Sequence, residues 1–144
     1  MYNSELWTIT KKLENSIDTF HRNLLRKTQN IKWPHVITND QLYERTREVK
    51  WSKRIEARRL RWLGHLMRLP EDSPARLALI EALKPSRRPQ GRPKTTWISN
   101  MNKELQSIDP TLKLGTPQLE ELCKNRAKWN SMIRERQADQ RRIA

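Results

Sequence analysis

Cysteine, acidic residues and long apolar runs are all scarce in this chain of 144 residues, and each scarcity excludes a class of protein. Cys123 is the only cysteine, which excludes intramolecular disulfides and argues against a zinc site built on thiolates. No apolar run approaches the roughly 18 residues of a membrane-spanning helix. The residues around Lys11 do not form a secretory leader either. We therefore predict an intracellular protein without a membrane partner.

Basic residues far outnumber the acidic ones. Thirty Lys and Arg stand against sixteen Asp and Glu, which gives a net charge of +14. This balance favours phosphate-rich partners and fast association with them. Only 35% of the residues are hydrophobic and the mean hydropathy is −0.98, which is low for a self-sufficient globule. We expect either a core that is completed by a neighbouring domain or long exposed basic segments.

Apolar residues recur at helical spacing, and the alternation typical of strands is absent. We predict an all-α fold, a small irregular bundle of about five to six helices with a basic proline-rich linker. The first helix should run from about Lys11 to Lys27, with Thr8 or Thr10 as its cap. Its predicted core face, the α1 stripe, consists of Leu13, Ile17, Phe20 and Leu24.

Local cap and stop signals place the remaining helices. A capping box at Thr38 should begin a short helix that ends near Arg47. The predicted caps of the later helices are Ser52, Ser73, Thr95 or Thr96, and Thr116. The predicted ends are Pro70, Leu83, Asp109–Pro110 and about Arg134, after which a fraying basic tail is expected.

The composition changes abruptly between residues 84 and 94. This segment holds three prolines, one glycine, five positive charges and no acid. Such a composition is typical of an extended polyproline-like backbone. We therefore predict three parts, namely a helical region at 1–83, a basic linker at 84–94, and a C-terminal helical pair with a basic tail at 95–144.

The most informative stretch, at 58–70, reads R-R-L-R-W-L-G-H-L-M-R-L-P. On a helix its basic side chains fall on one arc and its apolar side chains on the opposite one. The basic arc consists of Arg54, Arg58, Arg61, His65 and Arg68. Glu56 is the only acid between Lys53 and Arg68, whereas a solvated helix face, which is the alternative, normally mixes charges of both signs. We predict contacts with phosphates, which give affinity without sequence choice.

The linker provides a second set of candidate contacts. Its prolines lower the entropy lost on binding, and Gly91 permits close approach to a sugar–phosphate wall. The segment 89–93 also resembles an AT-hook core in which Gln90 replaces an arginine. A solvated linker or a nuclear-import signal is the alternative. The candidate nucleic-acid-binding residues are Lys53, Arg54, Arg58, Arg61, His65, Arg68, Arg87, Arg88, Arg92 and Lys94.

No catalytic arrangement is visible in the sequence. The aspartates are isolated from one another, and His21, His35 and His65 are far apart. We predict no catalytic residue, no metal, no cofactor and no small-molecule substrate. The tryptophans could stack on bases, but three of them, Trp62, Trp97 and Trp129, lie on apolar helix faces, where core packing is the default.

Four blocks of the chain, taken in order, resemble the region after the polymerase domain in non-LTR (LINE-type) retrotransposon reverse transcriptases. They are Y-N-S-E-L-W-T-I-T-K at 2–11, I-K-W with T-N-D-Q-L at 31–42, the pair formed by the stretch at 58–70 and R-R-P-Q-G-R-P-K-T-T-W at 87–97, and R-A-K-W at 126–129. The chain departs from the family pattern at Asn3 and Leu6, where glycine and threonine are usual. Loss of that glycine removes a residue suited to positive φ, so the entry turn is expected to differ.

The resemblance implies a detached, thumb-like and linker-like C-terminal piece of such an enzyme, with the polymerase and endonuclease chemistry upstream of it. We expect a non-catalytic module in the nucleus that holds RNA or an RNA–DNA hybrid, with DNA as a further candidate. One alternative is a helical interaction module that docks on a reverse transcriptase domain. Another is a Myb-like DNA-binding domain, suggested by the 18-residue separation of Trp33 and Trp51.

Overall fold

A computed structural model describes residues 2–84, 91 and 93–142, with side chains as far as residue 139. Within these residues every regular element is helical, so the predicted all-α bundle is confirmed. A 3-10 turn at Ser4–Leu6 precedes seven α-helices. They are α1 (Lys11–Thr28), α2 (Asn39–Thr46), α3 (Trp51–Arg68), α4 (Pro74–Leu83), α5 (Trp97–Gln106), α6 (Pro117–Lys124) and α7 (Arg126–Arg142). The linker residues Arg87, Arg88 and Arg92 lie outside the described part.

Most of the predicted helix starts are confirmed, because they depend on side chains that satisfy free backbone donors. The Thr10 hydroxyl accepts from the first turn of α1 at 3.3 Å. Thr38 and Gln41 form the predicted capping box at the start of α2, with bonds of 3.2 and 3.0 Å. Ser73 caps α4 ahead of its first-turn proline. Thr96 caps α5, which ends at Gln106, before its predicted stop.

The predicted cap of α3 is wrong. This helix begins at Trp51, and Lys50 occupies the N-cap position without a side-chain bond. Ser52 is instead buried and donates its hydroxyl and its backbone N–H to the Asp18 carboxylate, at 2.7 and 3.0 Å. This contact fixes α1 against the first turn of α3.

The α1 stripe is not the core face that its spacing predicts. Three of its four side chains are between 40% and 61% exposed, and Ile17 is half-buried. The buried side of α1 carries Asp18 and His21, and the His21 imidazole stacks on the Trp51 ring at 4.7 Å. The helix is therefore turned so that a polar side faces the protein and the apolar stripe faces outward.

Asn3 adopts the left-handed backbone conformation, with φ of 51° and ψ of 26°. Asparagine is among the non-glycine residues that tolerate this region. The positive φ that a glycine would supply is therefore still present at this turn.

The core is built around α3, which packs against the 3-10 turn and against α1, α4, α5, α6 and α7. Two hydrogen bonds join the 3-10 turn and the segment after it to α5. Trp97 Nε1 donates to Glu5 O at 2.8 Å, and Asn100 Nδ2 donates to Ile9 O at 2.9 Å. The largest fully buried side chains of the core are Leu60, Leu63, Met101, Leu105, Leu119, Trp129 and Ile133. No described helix has the length and apolar character needed to cross a membrane.

The last predicted helix is in fact two helices. Asn125, with ψ of 91°, interrupts the helical conformation between α6 and α7. Its side-chain oxygen accepts from Lys128 N at 3.0 Å and so caps α7. The prediction of a fraying tail is wrong for Arg136, which lies within α7 and whose Nε donates to Glu56 at 2.7 Å.

Candidate nucleic-acid interface

A cationic groove of about 590 Å³ lies between α3 and α7. It is lined by Arg61, His65, Arg68, Arg126, Asn130 and Arg134. Four of these six side chains are permanent cations, and none of the described residues in the lining is acidic. We call this site the α3–α7 groove.

The two helices that carry the groove are in close contact with each other. Trp129 of α7 is fully buried, and its Nε1 donates to Leu60 O of α3 at 3.0 Å. One turn further along α3, a Cβ added to Gly64 would lie 2.5 Å from Cδ1 of the same indole. Only glycine leaves room for Trp129 here, so the helices approach more closely than two ordinary side chains would allow.

Two hydrogen bonds tie α3 to the C-terminal segment, the first to α7 and the second to α6. Arg61 donates to the Gln137 amide oxygen at 2.9 Å, and Arg68 donates to Cys123 O at 2.8 Å. Later residues of α3 thus meet earlier residues of the C-terminal segment, so the two helices run antiparallel. Each guanidinium carries five N–H donors, so both arginines keep donors for an anion.

The cations form two facing rows. Arg61, His65 and Arg68 follow spacings of four and three on α3, which places them on one face. Arg126, Asn130 and Arg134 follow spacings of four on α7. At 1.5 Å of rise per residue, each row extends roughly 10–12 Å. The groove is therefore longer than a single phosphate group.

The structure divides the predicted basic arc into two halves. Its later members, Arg61, His65 and Arg68, all line the groove. Of its earlier members, Arg54 forms an ion pair with Glu48, and the exposed Arg58 donates to Ser4 Oγ at 3.1 Å.

The other predicted contacts lie outside the groove lining. Lys53 forms an ion pair with the buried Glu56 at 2.9 Å. Lys94 is exposed but does not line the groove.

Sequence reasoning missed the row on α7. In one unbroken helix Arg126 shares a stripe with Trp129 and Ile133, which places it on the core side. The break at Asn125 instead makes Arg126 the first residue of α7, and Arg126 is exposed there. The signal that could have identified this row is the spacing of four between Arg126, Asn130 and Arg134.

An aromatic edge adjoins the groove. The Trp62 ring lies 5.2 Å from the His65 imidazole, centroid to centroid, with the two planes tilted by 40°. Trp62 is half-buried and packs against the core, as does Trp97, and Trp129 is fully buried. The prediction that these three tryptophans are core residues is therefore confirmed, and Trp33 is instead 88% exposed.

A second polar cavity, of about 280 Å³, contrasts with the groove because its lining contains both acidic and basic side chains. Glu56 accepts from both Lys53 and Arg136, and Arg59 donates to the largely buried Glu104 carboxyl. Burial raises the pKa of Glu104 to about 8, against the opposing effect of the Arg59 guanidinium. This network ties α3 to α5 and α7.

Neither the cysteine nor a metal cluster adds chemistry to the described residues. Cys123 is fully buried, and burial raises the pKa of its thiol to about 12. The thiol therefore stays protonated at neutral pH, as expected for a packing residue. No three His, Cys, Asp or Glu side chains of the described residues are grouped so that they could hold a metal ion.

A comparison of the chain with family models, with curated proteins and with solved structures found no match. What the α3–α7 groove binds is therefore inferred from its own side chains, which are four guanidinium groups, one imidazole and one amide.

Proposed function

We propose that this chain is a non-catalytic nucleic-acid-binding module whose α3–α7 groove holds the phosphates of RNA or of an RNA–DNA hybrid. The observation that carries the proposal is the grouping of four arginines from two helices in one lining without an acidic side chain among the described residues. A guanidinium is the side chain best suited to phosphate, because its donors form a planar fork. The resemblance to LINE-type reverse transcriptases supports an origin in a retroelement polymerase.

The length and charge of the site favour a polymer over a free anion. Cations line both walls along roughly 10–12 Å, so successive phosphates of one strand can be bound together. The net charge of +14 adds a long-range attraction that speeds encounter with a polyanion. A single phosphate would use only part of such a site.

Replacing Arg61 and Arg134 with glutamate is expected to lower the affinity for RNA by at least about 100-fold, since each of the two lost charge-assisted hydrogen bonds contributes about 1.5–3 kcal/mol. For four phosphate contacts, log affinity of the wild type should fall with log salt at a slope of about −3 for a single strand and about −4 for a duplex. The double variant should flatten that slope by about two. Fluorescence anisotropy at several salt concentrations measures both effects.

The matched control carries the same change of charge elsewhere. Lys12 and Lys113 are exposed and do not line the groove. Their replacement by glutamate should reduce affinity only through net charge, by a few-fold at most. Equal losses of RNA affinity in the two double variants, or an affinity that does not depend on salt concentration, would contradict the proposal.

As a second function, we propose docking on a protein partner through the α1 stripe, and the exposure of that stripe is the specific observation in its favour. Lys12 and Lys27 lie on the solvent side of the stripe and are exposed. An apolar partner surface with acidic edges would complement both features. The reverse transcriptase domain implied by the resemblance is the partner to test.

Replacing Leu13 and Leu24 with serine is expected to abolish binding to a purified LINE-type reverse transcriptase domain. The melting temperature should hardly change, because exposed substitutions usually alter stability by no more than about 0.5 kcal/mol each. Leu77→Ser is the control, since Leu77 is 51% exposed but lies on α4. A large loss of stability would show that the stripe belongs to the core, and unchanged binding would exclude it as a docking face.

A further inference from the structure

Asn130 differs in kind from the other side chains of the α3–α7 groove. It is half-buried on α7 and lies between Arg126 and Arg134 in the lining. Its amide offers both donors and an acceptor oxygen, whereas a guanidinium offers donors alone. No described residue forms a hydrogen bond with this amide, so its N–H donors and its acceptor oxygen are both available to a ligand.

A phosphate group cannot use the acceptor oxygen of Asn130, because ionised phosphate has no proton to donate. The arginines satisfy phosphate oxygens completely, and the His65 imidazole provides an acceptor nitrogen only when it is neutral. The amide oxygen therefore needs a ligand group that donates. In a nucleic acid, the donor closest to the phosphates is the ribose 2′-hydroxyl, which both donates and accepts.

The position of Asn130 suits that hydroxyl better than a base edge. One helical turn, roughly 6 Å of rise, separates it from the arginine on either side. When these arginines hold phosphates of one strand, the amide lies beside the sugar–phosphate backbone between them.

We propose that Asn130 is a specificity-determining residue that binds the ribose 2′-hydroxyl, so that the α3–α7 groove prefers an RNA strand to a DNA strand. This inference rests on the proposed function, since it requires that the arginines hold a nucleic-acid backbone. It adds the sugar as the feature that is recognised.

The test compares the full chain with its Asn130→Leu variant on three 12-nucleotide strands of one sequence, made of RNA, DNA and 2′-O-methyl RNA. The wild type should bind RNA about three- to tenfold more tightly than DNA, the range expected for one hydrogen bond. The 2′-O-methyl strand should bind as weakly as DNA, because methylation removes the donor. Asn130→Leu should bind all three strands equally, at the wild-type affinity for DNA and with an unchanged salt slope.

Leucine favours helix more than asparagine does, so the variant should remain folded. Asn23→Leu on the exposed side of α1 is the matched control and should keep the RNA preference. Equal binding of RNA and DNA by the wild type, or an RNA preference that survives Asn130→Leu, would overturn the inference alone. Binding that does not depend on Arg61 and Arg134 would overturn the proposed function and the inference together.

Discussion

Gly64→Ala is expected to destabilise the protein by about 2–3 kcal/mol and to lower its melting temperature by roughly 8 °C. Replacing glycine with alanine in a helix normally stabilises the protein by about 1 kcal/mol, so a loss of stability here is the opposite of the usual effect. The added methyl group would overlap the pyrrole part of the fully buried Trp129 ring. To remove the overlap, either the indole loses its bond to Leu60 O or α7 moves away from α3.

A second substitution shows whether the overlap is the cause. Trp129→Phe removes Nε1, so Gly64→Ala should cost less in that background than in the wild type. Asn23→Ala, on the exposed side of α1, reports the effect of helix propensity alone and should be neutral or slightly stabilising. Thermal melts of the single and double variants decide the question. A Gly64→Ala protein that melts at or above the wild-type temperature would show that the helices are not in close contact at this point.

The stability of the protein should fall as the pH rises from about 5 to about 8, because of Glu104. Burial raises the pKa of this carboxyl from 4.5 to about 8, although Arg59 opposes the change. Between these two values the folded state binds the proton more tightly than the unfolded chain does. Stability then declines with pH by at most about 1.4 kcal/mol per pH unit, or a few kcal/mol in total.

Glu104→Gln isolates this effect, since its amide oxygen can still accept from Arg59 while it carries no charge. The variant should match the wild type near pH 5 and exceed it at pH 9, as followed by urea unfolding at each pH. Burial also lowers the pKa of His21, so protonation of His21 makes stability rise with pH below about 6.5 in both proteins. The quantity to compare is therefore the difference in stability between the wild type and Glu104→Gln at each pH. Glu121→Gln, in an exposed pair with Lys124, should change little. A stability difference independent of pH would contradict the prediction.

The helices and most of their caps could be predicted because both depend on neighbouring residues. Thr38 and Gln41 meet across one turn, and Ser73 precedes a proline suited to the first helical position. The orientation of α1 could not be predicted in this way. It depends on Asp18 and Ser52, which are 34 residues apart, and their buried hydrogen bonds outweigh the local apolar pattern.

The same distinction applies to the α3–α7 groove. Its α3 wall could be predicted from the spacing of Arg61, His65 and Arg68, which is a local property of one helix. The α7 wall depends on the break at Asn125, and the pairing of the walls depends on Gly64 fitting against Trp129. Arg54 does not join the groove because it pairs with Glu48, which the turn at Arg47 brings within reach. Contacts of these kinds leave no periodic trace in the sequence.

The central place of α3 also has a consequence for the order of events during synthesis. Its partners include the 3-10 turn, made long before it, and α7, made long after it. A nascent chain that has completed α5 still lacks Trp129 and Ile133, so one apolar side of α3 remains uncovered at that stage. Contacts between such distant segments slow folding. Chaperones that bind exposed apolar helices should therefore associate with this chain until α7 has been synthesised.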